Sequence, residues 1–408
     1  MKELSFKVSD ISSSKEWAIS GFQNTVQLSQ LVNFRNEPNR DQEAQYLSLM
    51  SNRGVIRYED KGAIGNKKPE DLTRCKRVCS GDLVVNSMNF KIGSFGISPF
   101  EGVVSTVYHV ISPKQELLNT SYLNYWFGID EFRSQAQNLG NGILEHRRAI
   151  REDRFGAIRI PLPPLETQQR IADYLDKETS EIDEMIENLE GLVEELEIRG
   201  KSIPKRLFDS YQSKKYPSTS LTPLWSKVKV QNGFAFSSEQ FSPEGEMRII
   251  RISDILQNKP LFIRKTDLPD DSFKVSAGNI VIGMSGAGGF NSKIWKGEDA
   301  ALNQRVCSLK FSEDEVDAQF LQFSIQPKLD AIFLNQIYTT LPNLSTDQIL
   351  KLRIFMPSIN EQRLLASSAL RKVEEIDEMI SQCSGLIEDL KARRSALITE
   401  VVSGRKEV

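Results

Sequence analysis

The side chains that ordinarily carry catalysis are sparse. Only two histidines, His109 and His146, occur in 408 residues, which leaves little material for imidazole acid–base or metal chemistry. The four cysteines, Cys75, Cys79, Cys307 and Cys383, are scattered. Cys75 and Cys79 have no second pair to complete a tetrahedral zinc site, so neither a structural metal nor a disulfide framework is expected. The stretch Gly283-Met284-Ser285-Gly286-Ala287-Gly288-Gly289-Phe290 lacks the Lys-Ser/Thr ending that binds phosphate and magnesium, and reads as a flexible loop or tight turns. No HExxH, GxSxG or Asn/Asp-Pro-Pro-aromatic motif is present. Adjacent carboxylates such as Asp183-Glu184 fall on the exposed side of a helical pattern. The chain is expected to be non-catalytic, with no metal and no cofactor.

Basic side chains are the remaining chemistry. Net charge is −3 and the isoelectric point about 5.8, which taken whole argues against nucleic acid. The distribution reverses that: residues 1–160 carry +3, residues 161–199 carry −9 and residues 200–358 carry +4. Local potential governs phosphate attraction. The positive clusters are Lys67-Lys68, Arg74-x-Lys76-Arg77, Arg147-Arg148-x-x-Arg151-x-x-Arg154 and Arg248-x-x-Arg251. Each suits either phosphate contact or an ordinary charged surface.

The elements that must position these clusters come in duplicate. Glu181-Ile182-Asp183-Glu184-Met185-Ile186 recurs unchanged at 375–380, an offset of 194, and Pro163, Gln168, Ala172, Gly191, Leu192, Leu196 and Arg199 recur at the same offset. Apolar residues at Ile182, Met185, Leu189, Leu192, Leu196 and Ile203, and at Ile376, Met379, Cys383, Leu386, Leu390 and Leu397, form a three-four alternation. That pattern predicts two amphipathic helices seeking a partner along a narrow stripe. Thr167 and Asn360 are the expected N-caps, Gly200 and Pro204 the expected stop of the first helix, and Gly404 that of the second. Each helix is then about 35 residues, or about 50 Å. The two stripes cover each other best in an antiparallel pair.

Before each helix, short apolar runs alternate with turn residues, as in Ser80-Gly81-Asp82-Leu83-Val84-Val85 and Ala277-Gly278-Asn279-Ile280-Val281-Ile282. These runs predict two α/β or α+β domains. The expected boundaries are 1–160 and 217–355 for the domains and 161–209 and 356–404 for the helices, with a polar linker at 210–218. No apolar run approaches the length of a membrane span, and the start lacks the order of a signal peptide, so a cytoplasmic protein without membrane contact is expected.

The start Pro161-Leu162-Pro163-Pro164-Leu165-Glu166-Thr167-Gln168-Gln169-Arg170-Ile171-Ala172 opens a long helix carrying Ile182-Asp183. Pro357-x-Ile359-Asn360-Glu361-Gln362-Arg363 with Ile376-Asp377 repeats it. Each copy follows a variable domain of comparable length. Over nearly the whole chain this resembles the DNA specificity subunit of type I restriction-modification systems. Gln231-Asn232-Gly233-Phe234-Ala235-Phe236 and Leu302-Asn303-Gln304-Arg305-Val306 also resemble recurrent elements of that family's target recognition domains.

The resemblance implies a pseudo-twofold repeat. Two target recognition domains are joined by two long helices in an antiparallel coiled coil. It implies a non-catalytic protein that binds double-stranded DNA at a bipartite, asymmetric site, each domain reading one half. The helices act as spacer and as docking surface for two methyltransferase subunits, with motor-nuclease (restriction) subunits joining for cleavage. Candidate DNA-binding residues are Arg74, Lys76, Arg77, Asn86, Asn89, Arg147 and Arg148 in the first domain, and Ser285, Asn291, Lys293, Asn303, Gln304 and Arg305 in the second. Asn303-Gln304 serves equally as a structural pair beside a strand. The competing readings are a stand-alone DNA methyltransferase, which would bind S-adenosylmethionine, and a coiled-coil scaffold with no DNA role.

Overall fold

The computed structural model describes residues 7–8, 17–18, 25–51, 53–62, 67–140, 149–216, 221–257, 260–286, 288–336 and 342–408. The chain divides into two units, Met1–Glu190 with Ser384–Val408, and Gly191–Cys383.

In the first unit the strands that bear on the site are β1 (Val32–Phe34), β2 (Lys76–Val78), β3 (Leu83–Asn86), β4 (Phe95–Ile97), β5 (Gly102–Val104) and β6 (Tyr108–Pro113). Four of them form an antiparallel sheet in the order β1-β6-β3-β4, while β5 pairs with β2. The run Leu83-Val84-Val85 is apolar throughout because both faces of the sheet are covered. Leu83, Val85 and Ile111 join one buried cluster with Trp126 and Phe127 of helix α1 (Thr120–Phe127). Val84 and Val110, pointing oppositely, join another with Leu47, Val55 and Val104.

The second unit repeats this plan. Its strands that bear on the site are β7 (Lys229–Asn232), β8 (Met247–Ile250), β9 (Ile280–Gly283), β10 (Ser292–Ile294), β11 (Ala300–Leu302) and β12 (Val306–Lys310), with sheet order β7-β12-β9-β10. Again β9 is buried on both faces: Ile280 and Ile282 lie in one cluster and Val281 in another with Trp295 and Leu302. A matching glycine launches the equivalent strand in each sheet. Gly81 and Gly278 both hold φ near +88°, a conformation costly for side-chain-bearing residues, and donate to Ser98 and Trp295 carbonyls at 2.8 and 2.9 Å.

The long helices are α2 (Leu165–Lys215) and α4 (Ile359–Val402), with α3 (Ala318–Leu334) between them in sequence. At 51 and 44 residues they exceed the expected length. Gly200 and Pro204 do not stop α2, and residues 210–215 of the expected linker are its last turns. A mid-helix proline costs about 3 kcal/mol. Beyond it, Phe208 buries its ring against Phe320, Leu365 and Ala369, with ring centroids of Phe208 and Phe320 4.8 Å apart, which offsets that cost. Gly200 lets Ile376 approach: a Cβ there would meet its side chain at 3.3 Å. Thr167 and Asn360 lie inside their helices rather than at the caps. Ser358 caps α4 instead, its hydroxyl and amide both donating to Glu361. Gly404 does follow the end of α4, at φ +72°, with its amide donating to Val401.

The helices pair antiparallel within each unit. In the first, Arg394 grips Asp183 through two hydrogen bonds of 2.8 and 3.0 Å and Lys391 reaches Glu190 at 3.4 Å. In the second, Gly200 lies against Ile376 and Lys215 meets Glu361 at 2.5 Å. The buried stripe is shifted from the expected one. Ile182, Ile186, Leu196, Ile376, Cys383 and Ile387 are buried, whereas Met185 (53% exposed), Leu192 (42%), Met379 (42%) and Leu386 (53%) face out. From Ile182 the seam advances by four, then three, through half-buried Val193 and Gly200. At Gly200 a residue without a side chain meets Ile376, so a hydrophobicity count alone selects the neighbouring stripe.

Each long helix is fastened to its own sheet domain by a buried glutamine. Gln168 accepts from the amide of Asn119, the N-cap of α1, at 2.9 Å and donates to Leu117 and Pro163 carbonyls. Gln362 accepts from the amide of Asp317, the N-cap of α3, at 3.0 Å and donates to Glu315 and Pro357.

Candidate nucleic-acid interface

In the second unit the candidate residues other than Lys293 converge on one end of the sheet. The turn Asn303-Gln304-Arg305 joins β11 to β12 and closes through the Val306 amide on the Asn303 carbonyl at 2.9 Å. The Asn303 amide donates to Ile250, and its side-chain oxygen accepts from the Gln304 amide at 2.9 Å. Beside the turn, Met284 donates to the Arg305 carbonyl at 2.9 Å, and Ser285 forms a bridge with Asn343. The Arg305 guanidinium donates to the Asn343 side chain at 3.2 Å. Asn291 folds the hairpin between β9 and β10 back on itself by donating to the Gly288 carbonyl at 3.0 Å. Gly286 and Gly289 supply the positive φ values, so the glycine-rich stretch is a hairpin connection. Lys293 stands exposed on the edge strand β10, apart from the turn.

Two motif segments prove to be one contact. Gly233 donates to Val306 and Phe234 to the Leu302 carbonyl, so the segment 231–236 lies along 302–306.

The first unit gathers its candidates less tightly. Asn86 and Asn89 flank a cleft of about 310 Å³ with Tyr46, Ser48, Ser51, Ser94 and Tyr108. Asn86 is buried and accepts from Met88 at 3.1 Å, while Asn89 is exposed. Burial pushes the Tyr46 phenol up to about 12. Arg77 is exposed on β2 and Arg74 is exposed beside Asp71 at 3.3 Å. Lys76 is partly buried against Glu152 at 3.5 Å, next to His109. Burial holds the His109 imidazole below its usual range, and its Nε2 lies 2.7 Å from the Ile150 carbonyl. Arg147 and Arg148 lie outside the described residues.

Both halves match one family model, the type I restriction modification DNA specificity domain, over residues 23–197 and 227–382. The chain belongs to this family. The EcoBI specificity subunit of Escherichia coli is 29% identical over 181 residues, covering 44% of this chain and 38% of that relative. The MjaVIII specificity subunit of Methanocaldococcus jannaschii is 24% identical over 332 residues, covering 76% of this chain and 75% of that relative. Among solved structures, a chain from a type I R-M system superposes with a TM-score of 0.71 at 14% identity, over 94% of this chain and 98% of that one. The HsdS subunit from Thermoanaerobacter tengcongensis does so with 0.51 at 14%, over 94% and 97%.

Each specificity domain match ends within a long helix and takes in one copy of the repeated four-stranded sheet. Among the described residues of this specificity chain, no helix is long and apolar enough to cross a membrane. Sequence reading did not single out Ser105-Thr106-Val107, which the structure sets between β5 and β6 just as Asn303-Gln304-Arg305 lies between β11 and β12. The two tripeptides share no letter, so only the strand order could reveal the match.

Proposed function

We propose that this chain is the sequence-reading, non-catalytic subunit of a type I restriction-modification complex, each unit binding one half of a bipartite, asymmetric duplex site. The reading heads are 1–160 and 217–355. Lys and Arg side chains, among them Arg74, Lys76, Arg77, Arg147, Arg148 and Lys293, supply salt-dependent phosphate affinity. Asn86, Asn89, Ser285, Asn291, Asn303, Gln304 and Arg305 read base edges. The paired helices set the gap between half-sites and dock two methyltransferase subunits, with motor-nuclease subunits joining for cleavage. Met185 and Leu192 on α2, and Met379 and Leu386 on α4, are exposed at matching positions of the repeat and suit docking of like partners.

One observation carries this reading: the two units repeat the same four-strand order, while the side chains at the sheet ends differ, as two readers of different half-sites require. The test is to express the chain with its methyltransferase subunits and map methylated adenines. A split motif with a fixed gap is expected. A continuous motif, or none, overturns the reading.

A further inference from the structure

We infer that the three-residue turn entering the central strand is the equivalent base-reading position in both units: Ser105-Thr106-Val107 in the first, Asn303-Gln304-Arg305 in the second. The inference rests on the recognition reading above and adds residues that no motif marks.

The backbone argument is geometric. In register, Val85 faces His109 and Ile282 faces Cys307, so β3–β6 superimposes in plan on β9–β12. The turn then falls on the three residues before Tyr108 and Val306. It closes identically, Tyr108 donating to Ser105 at 3.1 Å and Val306 to Asn303 at 2.9 Å. Its last carbonyl is held by the neighbouring hairpin in both units: Val107 accepts from the Ser87 hydroxyl at 3.1 Å, Arg305 from the Met284 amide at 2.9 Å. Burial runs in the same order, half-buried, exposed, exposed, then a buried residue opening the strand.

A pinned backbone with outward side chains is what rigid base readout requires, because little ordering entropy is then lost on binding. The chemistry at the two positions differs in kind. Ser105 and Thr106 offer hydroxyls, and Thr106 and Val107 offer methyl groups that suit a thymine methyl. Gln304 offers the amide fork that pairs with adenine, and Arg305, oriented by Asn343, the fork that pairs with guanine. One frame with two letter sets accounts for two unlike half-sites.

The test exchanges the letters within the frame. One variant carries Asn303→Ser, Gln304→Thr and Arg305→Val; a second carries Gln304→Ala alone. Both are made in the full chain, expressed with the methyltransferase subunits, and compared by methylated-adenine motif and melting temperature. A change confined to one half of the motif, with the other half and the gap unchanged, is expected, as is a fall of about 5- to 150-fold in methylation of the parent site per lost bidentate contact. Should the exchange variant not methylate, Gln304→Ala decides. A motif unchanged in both variants, or altered in both halves, overturns the turn assignment while the parent motif stands. A parent chain giving no split motif overturns the recognition reading itself.

Discussion

Gly233 and Asn303 approach so closely that a Cβ on Gly233 would sit 2.0 Å from the Asn303 carbonyl oxygen. Here the glycine is required by space, since its φ is not in the left-handed region. Gly233→Ala must therefore push the segment 231–236 off the turn at 303–305. A loss of about 1–3 kcal/mol is expected, measured as a lower urea midpoint. Selectivity should loosen in one half-site only. An unshifted midpoint would show that the contact is not made.

The buried glutamines are expected to be as costly to lose as any apolar core residue. Gln362→Leu strips partners from the Asp317 amide and from the Glu315 and Pro357 carbonyls. The Pro357 bond is buried and the other two are part-buried. Leaving a buried group unmet costs about 1–3 kcal/mol, so the change should destabilise the second unit by at least about 1–3 kcal/mol. Gln168→Leu should do the same to the first. Chemical denaturation followed by a probe in each unit separates the two.

Acid should release the base of α4. The ammonium of Lys215, then the Ser358, Tyr211 and Tyr216 hydroxyls, all donate to Glu361 and hold its carboxyl well below the usual range. A carboxyl lowered on folding contributes stability above its unfolded value of about 4.3, and that stability is lost as pH falls through the folded value. Denaturation midpoints measured from pH 6 to pH 3 should fall for the parent. They should fall less for Glu361→Gln, which starts lower. Parallel curves would exclude the linkage.

The spacer role makes a metric prediction. Seven residues added to α2, with seven opposite in α4, lengthen each helix by about 10 Å, equivalent to about three base pairs. The gap in the methylated motif should widen accordingly while both half-sites keep their letters. An unchanged gap would reject the ruler.

Breaking the grip of Arg394 on Asp183 tests how much the helix pairing depends on charge. The Arg394 side chain is 36% and that of Asp183 52% exposed, so Arg394→Met should cost under about 1 kcal/mol. A much larger loss of melting temperature would mean that charge, rather than the buried apolar stripe, holds the pair.

The duplication was legible in the letters because the helices repeat them: an unbroken hexapeptide and matched Gln168 and Gln362 survive in both copies. So were the buried strands at Leu83–Val85 and Ile280–Ile282, whose continuous apolar runs reflect cover on both faces. Less legible was the seam. Met185 and Leu192 follow the expected spacing yet face out, because the buried seam runs through Ile186, half-buried Val193 and Gly200, where the missing side chain leaves room for Ile376.

From its residues alone this chain declared two halves, long paired helices and an absence of familiar catalytic motifs, since periodicity and composition are local properties that repeat along the chain. Which residues share a surface was decided only by the tertiary structure. Gly233 meets Asn303, and Ser105-Thr106-Val107 falls where the other unit has Asn303-Gln304-Arg305. The reason is physical: strand register, set by backbone hydrogen bonds between distant segments, fixes position without constraining the letters at an exposed turn.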